Sequence, residues 1–298
     1  MGFAALPLCF APPLLLLLPG FYAFVGAAWG LASFYTCVGA SSLSVLLIAG
    51  INDFSSLQIL ALYIPASFIL LKSLRNRLPW RNAAVQCSLA MALGLYAMLC
   101  LPSLLAGNGP FGDFETVFRL LGEQFAATAP QMGASESVVE QICSYVAYLQ
   151  LEAASLVTST MVALAMAAGL AAPLIARGLC SVSVVETRPM ARFSNWQLGN
   201  TFVQGLVVLL VGTLLATMLD INNIGAVISA VECIVGGPFI LMGLCCMAYI
   251  RAAIGKGTGY LIVLYVVMLL FLNPGIYILV TIGFLDRVVR IRKQRPLS

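Results

Sequence analysis

Residues 233–250 read CIVGGPFILMGLCCMAYI, eighteen consecutive residues without a charge, between Glu232 and Arg251. A helix needs about 20 predominantly apolar residues to cross the hydrocarbon core of a bilayer, and this stretch with its flanks supplies them. Working outward, further uncharged runs cover 2–52, 54–71, 82–112, 153–176, 193–219 and 257–285. A membrane β-barrel would instead show alternating segments of about ten residues, and none is present. The pattern predicts an all-α protein, a polytopic transmembrane helical bundle of about nine crossings with some helices short or broken, forming one integral membrane domain over 1–298.

Composition points the same way. The chain is 61% hydrophobic and 9% charged, with a mean hydropathy of +1.03. Soluble domains carry about 25% charged residues, so a soluble fold is excluded and the lipid bilayer is the first partner. There is no histidine, which removes His-based metal sites and Ser-His-Asp triads. The nine cysteines include no CxxC pair, and Cys245 and Cys246 sit deep in an apolar run as small buried hydrophobes. A formal charge of +4, scattered along the chain, is too small for nucleic-acid binding. The N-terminus lacks the basic n-region of a signal peptide, so its apolar start is expected to be a retained helix.

Charge sign orients the bundle. Basic residues gather at Lys72, Arg75, Arg77 and Arg81, at Arg177, Arg188 and Arg192, at Arg251 and Lys256, and from Arg287 to Arg295. Acids gather elsewhere: Asp53, then Asp113 to Glu152, then Asp220. Lys and Arg are retained on the cytoplasmic side, so the chain is expected to be a multi-pass membrane protein with a basic cytoplasmic tail at 286–298.

Two stretches need special treatment. Residues 257–285 begin and end beside cytoplasmic charge, so they cross an even number of times. Asn273-Pro274-Gly275 breaks them into short helices near 259–272 and 275–285. Residues 2–52, divided by Pro7, Pro12, Pro13, Gly20 and Gly39, allow two spans with the N-terminus outside or three with it inside. Between the membrane runs, 108–152 is an extracytoplasmic segment. Phe114, Phe118, Leu121 and Phe125 form an amphipathic stripe there, and Ser137-x-x-Glu140 reads as a capping box that starts a helix running into the next span. Gly26 and Gly30, and Ala167 and Ala171, have the small-residue spacing that allows helices to approach closely within the bundle.

One ionisable side chain stands inside a span. Glu232 lies nine residues past Asn223, roughly 13 Å along a helix, and intramembrane charges are candidate sites by default because each costs several kcal/mol unless paired or wetted. Gly236, Gly237 and Pro238 follow at once and are expected to unwind the helix, as at transporter binding sites. Glu232, Gly236 and Gly237 are therefore candidate ligand-binding residues, with Asn200 and Gln204 joining them from one face of the preceding helix. The alternatives are a Glu232 paired with a neighbouring helix or left nearer the surface by a helix that starts late, and interhelical hydrogen bonding for Asn200 and Gln204. No catalytic or metal-ligating residue and no cofactor motif is found. There is no G-x-S-x-G elbow, Gly255-Lys256-Gly257-Thr258 lacks the spacing of a phosphate loop, and the aspartates fall at predicted helix ends. The chain is not expected to be an enzyme.

The C-terminal third carries a resemblance. It runs from Arg188-Pro189 through Phe193 and Trp196, past Gly236-Gly237, to Gly283-Phe284-Leu285-Asp286, with Arg290, Arg292 and Lys293 beyond. Over roughly 186–295 this is similar to the YybS-like bacterial membrane proteins, a family of unknown function that ends in a glycine, an aspartate three residues on and a basic pair after it. Here Gly199 follows Leu198 where proline is usual, and Arg290 stands where an acid is common. That family is similar in fold to the substrate-binding membrane subunits of energy-coupling-factor transporters, which implies small-solute uptake with other membrane transport subunits as partners. From the residues alone, Asp286 reads as a boundary charge one turn from Arg290. Two functions follow: a protein that binds or transports a small solute, or a non-catalytic membrane scaffold or assembly factor.

Overall fold

The computed structural model describes residues 17–49, 54–129, 131, 133, 135–183, 185, 193–219, 224–255, 257–270, 272–289 and 292. Among the described residues every regular element is helical and there is no strand. Twelve α-helices follow in order: α1 Leu18–Trp29, α2 Leu31–Ala49, α3 Phe54–Arg75, α4 Trp80–Leu99, α5 Leu101–Leu105, α6 Gly112–Thr128, α7 Glu136–Leu151, α8 Ala153–Val182, α9 Asn200–Met218, α10 Ile224–Ile254, α11 Thr258–Leu270 and α12 Leu272–Val289. Of these α4, α8 and α10 are long and apolar enough to cross a membrane, and Leu18–Trp29, Leu31–Leu47 and Gln204–Met218 are shorter apolar helices. The expected polytopic helical architecture is the one observed. The chain divides into two compact units, Met1–Arg188 and Pro189–Ser298.

Proline and glycine set the ends of the helices in the first unit, though not always where the sequence suggests. Pro19 opens α1, where its missing N–H costs nothing. Gly30 closes it, with φ +93° and its N–H bonded to the Gly26 carbonyl at 3.1 Å. The division of the N-terminal run thus falls at Gly30. Gly20 and Gly39 lie inside α1 and α2, and Pro7, Pro12 and Pro13 lie outside the described residues. A glycine inside a helix costs only about 1 kcal/mol, so a break needs the positive φ that Gly30 alone supplies there. Gly26 does pack closely, since a Cβ there would lie 2.8 Å from Leu71 Cδ2 on α3, whereas Gly30 has nothing within 4 Å.

α4 and α8 form the main packing seam of this unit. Ala165, Ala168, Ala172 and Ala176 are buried along α8, while Ala167 faces outward. Gly169 marks the closest point: a Cβ there would lie 2.6 Å from the Ser88 nitrogen and 2.8 Å from the Ala84 carbonyl oxygen. At the end of this seam Arg177 is buried and donates to the Leu78 carbonyl, and Arg75 donates to the Gly26 carbonyl at 3.3 Å. Two members of the orienting basic clusters therefore also tie down chain turns.

The segment between spans folds as the hairpin α6–α7. In α6, Phe114 and Phe118 turn inward, whereas Leu121 and Phe125 stay 41% and 49% exposed, leaving an apolar outer stripe of the kind that rests on a membrane surface. α7 starts two residues earlier than the capping box implies. Ser135, not Ser137, is its N-cap, and the two hydroxyls lie 3.0 Å apart. Nor does α7 run into the next span, since a turn at Glu152 separates it from α8.

In the second unit α10 packs along α12, and a single 3-10 turn, Phe193–Asn195, lies against α10. α11 and α12 are the expected short pair, but α11 ends at Leu270 and α12 begins at Leu272, with residue 271 outside the described residues. Pro274 sits instead in the first turn of α12, where no intrahelical N–H is lost. Several hydroxyls in the helices are satisfied locally: Ser41 donates to Cys37, Ser67 to Tyr63, Thr213 to Leu209 and Thr281 to Tyr277, each to the carbonyl four residues back. This back-bonding lets polar side chains sit in an apolar medium.

Candidate functional site

The second unit holds a buried ion pair. Asp286 lies near the end of α12, and six residues on Arg292 turns back onto it. Arg292 Nε donates to Asp286 Oδ2 at 2.9 Å and Nη2 to the same oxygen at 2.7 Å. Nη1 donates to the Ser194 carbonyl at 2.9 Å, Nη2 also faces Met242 Sδ at 3.6 Å, and the backbone N–H of Arg292 approaches Oδ1 at 3.4 Å. The two side chains are only 3% and 4% exposed. Cys245 lies beside Arg292 and Cys246 beside Asp286, both thiols fully buried. One guanidinium thus joins the 3-10 turn, α10 and α12.

Depth follows from helix length. α10 has 31 residues, about 46 Å, close to the ~40–45 Å of a bilayer with its headgroup regions. A helix of this length is able to reach from one membrane surface to the other. Met242 to Cys246 are eight to twelve residues from Ile254, roughly 12–18 Å along the helix, which is deeper than a headgroup layer. Asp286 is buried three residues before the end of α12, and its partner is Arg292; Arg290 lies outside the described residues.

A glycine crossing brings the pair together. A Cβ on Gly283 would collide with the Phe239 carbonyl and lie 2.9 Å from the Gly243 nitrogen, and a Cβ on Gly243 would collide with the Leu279 carbonyl. The contact is reciprocal, with residues four apart on each helix, and it places Asp286, three residues past Gly283, against the Met242–Cys246 turn. Phe239 stacks edge-on with Phe284 at 5.8 Å and with Phe202 at 6.0 Å. Phe193 and Trp196, which flank the carbonyl that accepts from Arg292, meet at 5.1 Å.

The helix break expected beside Glu232 is not observed. α10 runs unbroken through Gly236, Gly237 and Pro238, so the expected unwinding does not occur. Proline removes only the hydrogen bond to the Ile234 carbonyl, and in an apolar medium the freed backbone of a wider break would have no water to take its place. Glu232 is exposed and, among the described residues, has no hydrogen bond or ion pair. Gly236, one turn on, has nothing within 4 Å of a Cβ position. Gly236→Ala should therefore stabilise the protein by about 0.5–1 kcal/mol, the helical cost of glycine; a lower unfolding temperature would refute the open space. Gln204 is exposed, and the side chain of Asn200 lies outside the described residues.

The concavity in the first unit is a different place, an apolar groove of 260 Å³ between α4, α6 and α8, lined by Leu95, Leu99, Phe114, Phe118 and Met161 among others. Its one hydroxyl, on Thr160, is committed to the Leu156 carbonyl at 2.7 Å. Among the described residues no cluster of His, Cys, Asp and Glu has the make-up of a metal site.

The predicted membrane protein family DUF2232 matches residues 9–287. The chain belongs to that family. No curated protein and no solved structure matches it. The DUF2232 match spans both compact units and includes Asp286 and both crossing glycines, while Arg292 lies beyond its end. Sequence reasoning missed the pair because it looked for an i, i+4 partner. The usable signal was the resemblance itself, which couples Gly283, Asp286 and the basic residues after it.

Proposed function

We propose that this DUF2232 protein binds or transports a small charged solute in a bacterial cell membrane, without a catalytic step or cofactor of its own. The observation that carries the reading is the Asp286–Arg292 pair, buried among apolar helices. Assembling two charges there costs several kcal/mol of desolvation, and intramembrane ionisable groups are functional candidates by default. A guanidinium grips carboxylates and phosphates alike, so an anionic solute can compete with Asp286 for Arg292 and open the contact between α10, α12 and the 3-10 turn. The resemblance of residues 186–295 to YybS-like proteins, and of that family to substrate-binding subunits of energy-coupling-factor transporters, supports uptake energised by separate membrane subunits. With the basic tail cytoplasmic, the pair lies toward the cytoplasmic side.

The scaffold reading is favoured by one fact: Asp286, the Ser194 carbonyl and Met242 already occupy the guanidinium. Purification of the full chain from its native membrane in mild detergent, followed by mass spectrometry of everything retained, separates the two. Solute binding predicts a small anion retained by the wild type and lost from Arg292→Gln, together with an ATPase pair and a transmembrane coupling subunit. An envelope-assembly complex, with no small molecule that depends on Arg292, would establish the scaffold instead.

A further inference from the structure

We propose that Phe10–Leu16, the apolar stretch that leads into α1, lies in the groove between α4, α6 and α8 and straps the α6–α7 hairpin to the bundle. The inference does not depend on the solute-binding reading, and every residue that lines the groove belongs to the first compact unit.

The path of α1 leads there. A Cβ on Gly20 would lie 2.7 Å from the Ala172 carbonyl oxygen and 3.1 Å from the Ile175 Cβ, so the start of α1 is seated on that turn of α8. Six residues on, the Gly26 carbonyl accepts from Arg75, three residues before Leu78, whose own carbonyl accepts from Arg177. From Gly20 to Gly26 the helix therefore advances toward the Arg177 end of α8, and its upstream end points back toward Ala153. The groove begins in that direction. Val157, Met161, Leu164, Ala168, Ala172 and Ile175 recur at intervals of three and four and share one face of α8. Gly20 of α1 rests on Ala172 and Ile175, Ala168 is buried, and Val157, Met161 and Leu164 line the groove. The groove thus continues the seat of α1.

Length and chemistry suit the segment. Ala172 and Val157 are fifteen residues apart on α8, roughly 22 Å. Seven residues in an extended path of about 3.1 Å each cover about the same distance, so Phe10–Leu16 reaches the far end of the groove. The lining is apolar, and its one hydroxyl, on Thr160, is already committed to the Leu156 carbonyl. A fitting occupant brings no charge and few backbone donors, because each would go unmet. Residues 10–16 read FAPPLLL, with no charge, and Pro12 and Pro13 carry no N–H. Phe114 and Phe118 bring α6 to the groove, and Leu95 and Leu99 bring α4. A seated segment touches three helices at once and holds the hairpin against α4 and α8.

The test replaces Phe10 of the full-length protein, in its native membranes, by a photo-crosslinking phenylalanine analogue, with adducts mapped by mass spectrometry. The expected product is an adduct within one chain to 95–99, 114–118 or 156–164. Its yield falls at least about tenfold in Pro12→Asp, which brings a charge into an apolar site. Leu164→Trp, at a 45% exposed lining position, fills the groove and lowers the adduct to the same extent, and it leaves the segment itself unchanged. Ala167→Trp, on the outward side of the same helix, leaves the yield as it was. Adducts only to lipid would make the groove a site for acyl chains and overturn the proposal. Adducts only to a second copy, to 189–298 or to other parts of the first unit overturn it too, as does a groove adduct indifferent to both Pro12→Asp and Leu164→Trp or equally reduced by Ala167→Trp.

Discussion

Asp286→Ala will lower the stability of the folded protein by about 3–5 kcal/mol, because it leaves a buried guanidinium without its counter-charge. Arg292→Ala should cost a similar amount, with the Ser194 carbonyl also losing its donor. The readout is unfolding of the detergent-solubilised protein, followed together with maleimide labelling of Cys245 and Cys246. Both thiols are buried beside the pair, so they report its loss locally even where global unfolding is broad. Combining Asp286→Leu with Arg292→Met should recover most of the loss, since a matched apolar replacement of a buried pair is often neutral or stabilising. The contrast is Arg119–Glu123 on α6, an i, i+4 pair at 3.0 Å with side chains 53% and 59% exposed, whose removal should cost less than about 0.5 kcal/mol. Unchanged unfolding and unchanged thiol labelling in Asp286→Ala would show that the pair does not hold the second unit together.

Gly283→Leu carries the second large effect, a loss of about 3 kcal/mol or more. Overpacking usually costs about 1–3 kcal/mol when side chains can shift, but here the new Cβ meets the Phe239 backbone carbonyl, which has no rotamer to escape into. α10 and α12 must separate, and the ion pair a turn away loses its geometry. Gly243→Leu, facing the Leu279 carbonyl, should behave alike. The double variant should cost less than the sum, because the first substitution already moves the helices apart. Full additivity measured by thermal unfolding would mean that the two glycines do not share one contact.

Much of the architecture was open to direct reading. The eighteen uncharged residues 233–250 lie within α10, and the stripe at Phe114 and Phe118 lies on α6. The ends were less legible. Gly30, and not Gly20 or Gly39, closes a helix, because backbone conformation and not residue type ends it. Pro238 stays inside α10 because backbone hydrogen bonds have no substitute in lipid.

The sequence by itself determined that this is a helical membrane protein and where its apolar segments lie, because both depend only on how many uncharged residues follow one another and on the fixed thickness of a bilayer. Tertiary structure alone decided which polar residues have partners. Glu232 and Asp286 are each an acid within or beside an apolar run, and nothing local to either distinguishes them. Asp286 is buried against Arg292 because Gly243 and Gly283 let two backbones touch, a contact between residues forty positions apart, whereas Glu232 on the same α10 is exposed.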